Sequence, residues 1–91
     1  MLKQLAVEFI GTFIFISVIL ATGEAIPIGI ALAAAVFFAS KVNYTGQFNP
    51  AVTAAVWLQG KIPSNLASLH VLVQVCAGAS AYFFREWVVS K

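Results

Sequence analysis

Two apolar runs restrict this sequence more than any other feature. Leu5 to Thr22 is eighteen residues long and Leu66 to Phe84 nineteen, in a chain of 91 residues. A helix of about 20 apolar residues crosses a hydrocarbon core of ~30 Å. Both runs reach that length, so little chain remains for anything but connections between spans. Composition points the same way. Hydrophobic residues make up 62% and charged residues 9%, against about 25% charged in a soluble domain. Mean hydropathy is +0.98. The expectation is one domain, residues 1–91, in an all-α, multi-pass integral membrane protein of a plasma or inner membrane.

Several classes are set aside on the same grounds. The net charge of +2 comes from scattered basic residues, and no basic run is present to track the phosphates of a nucleic acid. One cysteine, Cys76, excludes an internal disulfide and a multi-cysteine metal site. In its apolar stretch it reads as a small buried hydrophobe. No nucleophile–base pair and no metal-ligand cluster is visible, so neither an enzyme nor a cofactor is expected. Lys3 before an apolar run imitates a signal peptide. The run is too long for a signal h-region and contains Glu8, so it reads as a retained span.

Breaks in the apolar pattern divide the chain. A first helix is expected over about 4–22, ended by Thr22-Gly23-Glu24. A second is expected over about 26–42, with Pro27 in its first turn, where a missing N–H costs nothing. A last helix is expected over about 64–87, closing on Arg85-Glu86-Trp87, residue types that suit a membrane–water interface. Trp57 and Trp87 read as interface anchors, His70 as structural or interfacial, and Ala77-Gly78-Ala79-Ser80-Ala81 as a close-packing face.

Residues 43–60 carry the most information. Asn49 can cap a helix whose first residue is Pro50. Gly60 can end it, and Lys61 complements the carbonyl end of its dipole. Pro50 to Gln59 gives a helix only about 15 Å long, half of a hydrocarbon core. Its residues, Ala51-Val52-Thr53-Ala54-Ala55-Val56-Trp57-Leu58, are apolar without a charged face, so it does not suit a membrane surface. The expectation is therefore three transmembrane helices plus one re-entrant half-helix. Its polar loop is then buried in protein or lines a water-filled cavity. Such a half-helix aims its N-terminal N–H groups at the bilayer centre. The Asn49 amide adds a donor, and the carbonyls of Thr45, Gly46, Gln47 and Phe48 add acceptors.

These segments carry a family resemblance. Ala6-Val7-Glu8-Phe9-Ile10-Gly11-Thr12-Phe13 resembles the first-helix signature of the major intrinsic protein (aquaporin and aquaglyceroporin) family. Thr45-Gly46-Gln47-Phe48-Asn49-Pro50-Ala51-Val52-Thr53 resembles its first pore loop, with Gln47 near the usual His and the loop one residue short. Gln74 and Gly78 loosely match a third-helix pattern. The resemblance implies a passive channel for water or a small neutral solute such as glycerol, with Asn49, Pro50 and Ala51 at its centre. It also implies that Glu8 accepts hydrogen bonds from the re-entrant loop and holds it in place. The dipole end then repels cations.

Family members hold two inverted repeats, and this chain holds one. Completion by a second, inverted copy is therefore expected, with the two Asn-Pro-Ala motifs meeting at the midplane. By analogy four such dimers assemble together, within a lipid bilayer. Lys3, Lys41 and Lys61 fall on one side of the membrane, Arg85 and Lys91 on the other, too weak a bias to fix one orientation. The resemblance places a mouth constriction at Ile28, Gly29 and Ile30 of one copy with Phe38 and Val52 of the other. It has no fixed charge and so admits larger solutes. Two alternatives stay open. One is a dual-topology, proton-coupled transporter using Glu8, since an acid in a span is expensive and usually functional. The other is a non-transporting membrane fragment, disfavoured by the initial Met1 and the charged end at Lys91.

Overall fold

Apolar residues with high helix propensity, and strong punctuation at glycine and proline, give four helices and no strand among the described residues. The computed structural model describes residues 1–90. The helices are α1 (Leu2–Thr22), α2 (Ala25–Lys41), α3 (Pro50–Leu58) and α4 (Ser64–Val89). α1 and α4 are long and apolar enough to cross a membrane by length and composition. α2, at 17 residues, is shorter. The side expected for Lys91 lies outside the described residues.

Each break in the chain has a local cause. Gly23 takes the left-handed conformation (φ 62°) that ends α1, and its N–H reaches the Ile19 carbonyl at 2.9 Å. Thr22 Oγ1 donates to the Val18 carbonyl at 2.9 Å and accepts from Glu24 N at 3.2 Å. α2 therefore starts after a two-residue link. Gly60 (φ 77°) follows the end of α3. α3 has nine residues, one fewer than expected, because Gln59 serves as its C-cap.

Contacts between the helices define the route of the chain. Glu8 meets Gln74, and the Phe13 ring meets the Phe84 ring. Both partners advance together, so α1 and α4 run in the same direction. α2 packs on α1 and returns the chain to the end where α1 began. There Val42, Asn43 and Tyr44 border the same cavity as Lys3, Ala6 and Val7. The loop then climbs between the helices until Gln47 and Phe48 stand beside Glu8. α3 packs on α4 and descends again, and Trp57 Nε1 donates to Ser64 Oγ at the start of α4, 2.9 Å away. The segment between α2 and α4 thus enters and leaves at one end of the α1–α4 pair.

Candidate functional site

The turn from loop to α3 is built by Asn49 and Pro50. Asn49 is extended (φ −159°, ψ 125°) and its Oδ1 accepts from Ala51 N at 2.8 Å. Pro50 takes the first helical position, where no N–H is needed. Thr53 N closes the first helical bond to the Asn49 carbonyl at 3.0 Å. Asn49 itself is exposed. The cap engages its oxygen, which leaves Nδ2 to donate elsewhere.

Glu8 holds the loop that leads to this turn. It is 1% exposed. Its Oε2 accepts from Gln47 N and its Oε1 from Phe48 N, both at 2.9 Å, and Gln74 Nε2 adds a third donor to Oε1 at 2.9 Å. Each hydrogen bond to a charged group is worth about 1.5–3 kcal/mol. That outweighs the strain at Phe48, whose φ is 59°, a left-handed conformation costing about 1–3 kcal/mol in a non-glycine residue. The Phe48 side chain is 1% exposed, and packing explains why it tolerates no neighbour of ordinary size. Its ring occupies the space a Cβ would take at Gly11 of α1 and at Gly46 of the loop. The two glycines are the slot into which Phe48 fits.

Beyond Glu8 lies a chain of buried polar side chains. Gln74 Nε2 also donates to Thr53 Oγ1 at 2.8 Å. Thr53 Oγ1 donates to Gln47 Oε1 at 2.5 Å, and His70 Nδ1 lies 2.8 Å from the same Gln47 oxygen. All are at most 3% exposed. The directions of these bonds follow from Glu8. Its oxygens meet only N–H groups, so Gln74 must turn its NH₂ toward them. The second hydrogen of that NH₂ goes to Thr53, so the Thr53 hydroxyl gives its own hydrogen to Gln47. Gln47 must then present its oxygen inward, and His70 carries its hydrogen on Nδ1. Four atoms remain buried without a partner among the described residues, namely Thr12 Oγ1, Ser17 Oγ, His70 Nε2 and Gln74 Oε1.

The other sequence candidates divide. Thr45 is exposed and Gly46 half-buried. Ile28, Gly29 and Ile30 lie near the start of α2 and Phe38 near its end, roughly 12–15 Å further along the helix axis. Val52 is on α3. Gly29, Ile30, Phe38 and Val52 are exposed, and the single chain assembles no constriction from the five. Cys76 corrects its expectation. It is exposed, because its face of α4 turns away from α1 and α3. The small-residue run is narrower than expected: Ala77 and Ala81 are buried and Ala79 is exposed, so one face of the helix packs and not the whole run. Of the two readings of His70, structural and interfacial, its position fits the structural one: it sits fully buried beside Gln47. Trp57 and Trp87 are exposed.

The roles of Thr53 and His70 were missed in the sequence. One signal was available. His70, Gln74, Ala77 and Ala81 recur at spacings of four, three and four, which puts all of them on one face of a helix. That face is the one meeting Glu8 and α3. No family model, curated protein or solved structure matches the chain, so the resemblance stands on its sequence motifs alone.

Proposed function

We propose that the chain is one half of a passive membrane channel for water and small neutral solutes, completed by an inverted second copy. The observation that carries the reading is the nine-residue helix α3, which begins deep beside Glu8 and Gln74 with Asn49 exposed at its N-terminus. Its N–H groups and positive dipole end meet a frame of two long apolar helices at mid-depth. A helix end buried in lipid would be costly, whereas one facing a water-filled path is not.

Burial supports a bilayer as the surroundings. In the most apolar windows of α1 and α4, 17% and 28% of residues are buried. A core helix of a soluble protein would be mostly covered. Ile10, Ile14, Phe38, Phe83 and Trp87 are all exposed, as lipid-facing side chains are. In that setting α1, α2 and α4 are the spans and the segment between α2 and α4 is re-entrant. One chain supplies one half-helix. A second copy inverted about an axis in the membrane plane brings its own Asn49 to the same depth, and four such pores per assembly follow by analogy with the family resembled. The apolar mouth of Ile28, Gly29, Ile30, Phe38 and Val52 then forms only between copies.

The rival use of Glu8 as a transport carboxylate is disfavoured by its 1% exposure and its three N–H partners. Stopped-flow light scattering on liposomes containing the purified chain tests the channel. Water and glycerol should both pass far faster than through empty liposomes, with no dependence on a proton gradient. Permeability equal to that of empty liposomes sinks the proposal. Cysteine-accessibility mapping should find the N-terminus on both sides of the membrane, and a single orientation excludes the inverted homodimer.

A further inference from the structure

At the end where α1 and α4 stop, a cavity of about 470 Å³ is bordered by Phe13, Val18 and Ala21 of α1 and by Phe84, Arg85 and Val88 of α4, among others. That volume falls within the roughly 300–1,000 Å³ of small-molecule sites. Its polar lining residues are Ser17, Thr22 and Arg85. The Ser17 hydroxyl is sealed off, and the Thr22 hydroxyl is spent between the Val18 carbonyl and the Glu24 N–H. Arg85 alone has polar atoms to spare. Its one charged neighbour among the described residues is Glu86, whose Oε2 stands 3.8 Å from Arg85 Nη1, too far for a hydrogen bond. The two side chains are 42% and 51% exposed, so the loose pair is open to a ligand. We propose that the cavity holds an acyl chain of a zwitterionic phospholipid with a primary ammonium, its phosphodiester on Arg85 and its ammonium on Glu86.

Each part of such a lipid meets its own chemistry. The walls are mostly methyl groups and rings. Wall atoms with nothing opposite them forfeit dispersion contacts, and an acyl chain restores those contacts. The depth suits a headgroup. Arg85 comes four residues before Val89, the last of α4, about 6 Å along the axis. Trp87 is exposed nearby, a residue type of the membrane–water boundary. An arginine stem can lie along apolar surface while its head reaches that boundary. A guanidinium forks onto two phosphate oxygens. The Glu86 carboxylate beside it only accepts, so the matching headgroup carries a donor next to its phosphate. A primary ammonium is such a donor, whereas a choline has no N–H. Net negative charge on the lipid is disfavoured as well. Glu24 and Glu86 oppose the single base Arg85 among the described residues of this end. The site rests on the bilayer placement proposed above and not on the channel.

Native mass spectrometry of the purified chain in mild detergent is the test. The wild type should hold one phosphatidylethanolamine per chain. On titration it should bind that lipid about tenfold more tightly than phosphatidylglycerol or phosphatidylcholine, the difference made by one charge-assisted hydrogen bond. Arg85→Gln should weaken all three lipids by about tenfold or more. Glu86→Gln should erase the preference for phosphatidylethanolamine and leave the other two no weaker. Ala21→Phe fills the cavity and should exclude lipid with an unchanged circular dichroism spectrum. Equal affinity for the three lipids in a chain that needs detergent overturns the lipid site and spares the bilayer placement. Undiminished binding by Arg85→Gln overturns it too. Lipid-free dimers that Ala21→Phe dissociates overturn it in favour of a second copy on this face. A chain that stays monodisperse in water without detergent overturns the bilayer placement and the lipid site together. Impermeable liposomes with the lipid preference intact overturn the channel and support the lipid site.

Discussion

The two ends of the α1–α4 pair are held together in opposite ways. At the end where the chain begins, Glu8, Gln47, Thr53, His70 and Gln74 form one buried hydrogen-bonded network around a loop and a short helix. At the other end Phe13 and Phe84 meet with ring centroids 5.6 Å apart and a tilt of 58°. A cavity of about 470 Å³ lies beside them, lined by Phe13, Ile14, Val18, Phe84 and Val88 among others. Directional bonds appear where backbone must be held in an unusual conformation. Where two helices only need to stay adjacent, shape and dispersion suffice, and imperfect packing is tolerated.

That contrast can be broken in measurable ways. The largest effect is expected for Glu8→Ala. It strands the N–H groups of Gln47 and Phe48 and one hydrogen of Gln74, each worth about 1–3 kcal/mol. Reversible unfolding in mild detergent, followed by circular dichroism, should show a loss of about 4 kcal/mol or more. Phe13→Leu at the opposite end should cost under about 1.5 kcal/mol, and equal costs for the two would abolish the distinction. Next comes Gly11→Val, which drives side-chain atoms into the Phe48 ring. It should cost about 3 kcal/mol and expose the loop to limited proteolysis between Asn43 and Phe48. Asn49→Ala removes one cap and should cost about 1 kcal/mol, with faster amide exchange confined to the first turn of α3. The smallest effect belongs to Ser17→Ala. Its hydroxyl is sealed from solvent without a partner, so removal should leave stability within about 0.5 kcal/mol or raise it slightly.

The helices were readable in the sequence because hydropathy, Gly23, Pro27, Pro50 and Gly60 act locally. Their observed bounds differ from the expected ones by one or two residues, where end turns fray into caps. Asn49 as N-cap was readable for the same reason, since the cap bond spans two residues. The polar network was only partly readable. Glu8 stood out because an acid is costly in an apolar run. Thr53 and His70 did not, because their partners lie 21 and 23 residues away in Gln74 and Gln47. Such pairings depend on how α3 descends against α4, which no local pattern encodes. Cys76 was misjudged for a related reason. Apolar neighbours signal burial in a soluble core, but on α4 they cover the outward face as well as the inward one.

The shared direction of α1 and α4 has a consequence for how such a chain can grow. α1 starts at one end of the pair and α4 stops at the other, so Ser90 stands where a reversed copy would begin. In a bilayer, as proposed above, joining two copies tail to head would give a second unit inverted relative to the first, without an additional crossing helix. If α1, α2 and α4 are the spans, as proposed, the odd number of passes makes a tandem duplication a reversal. A fusion of Ser90 to Met1 through a short flexible linker would hold the second unit in that reversed orientation within a single chain.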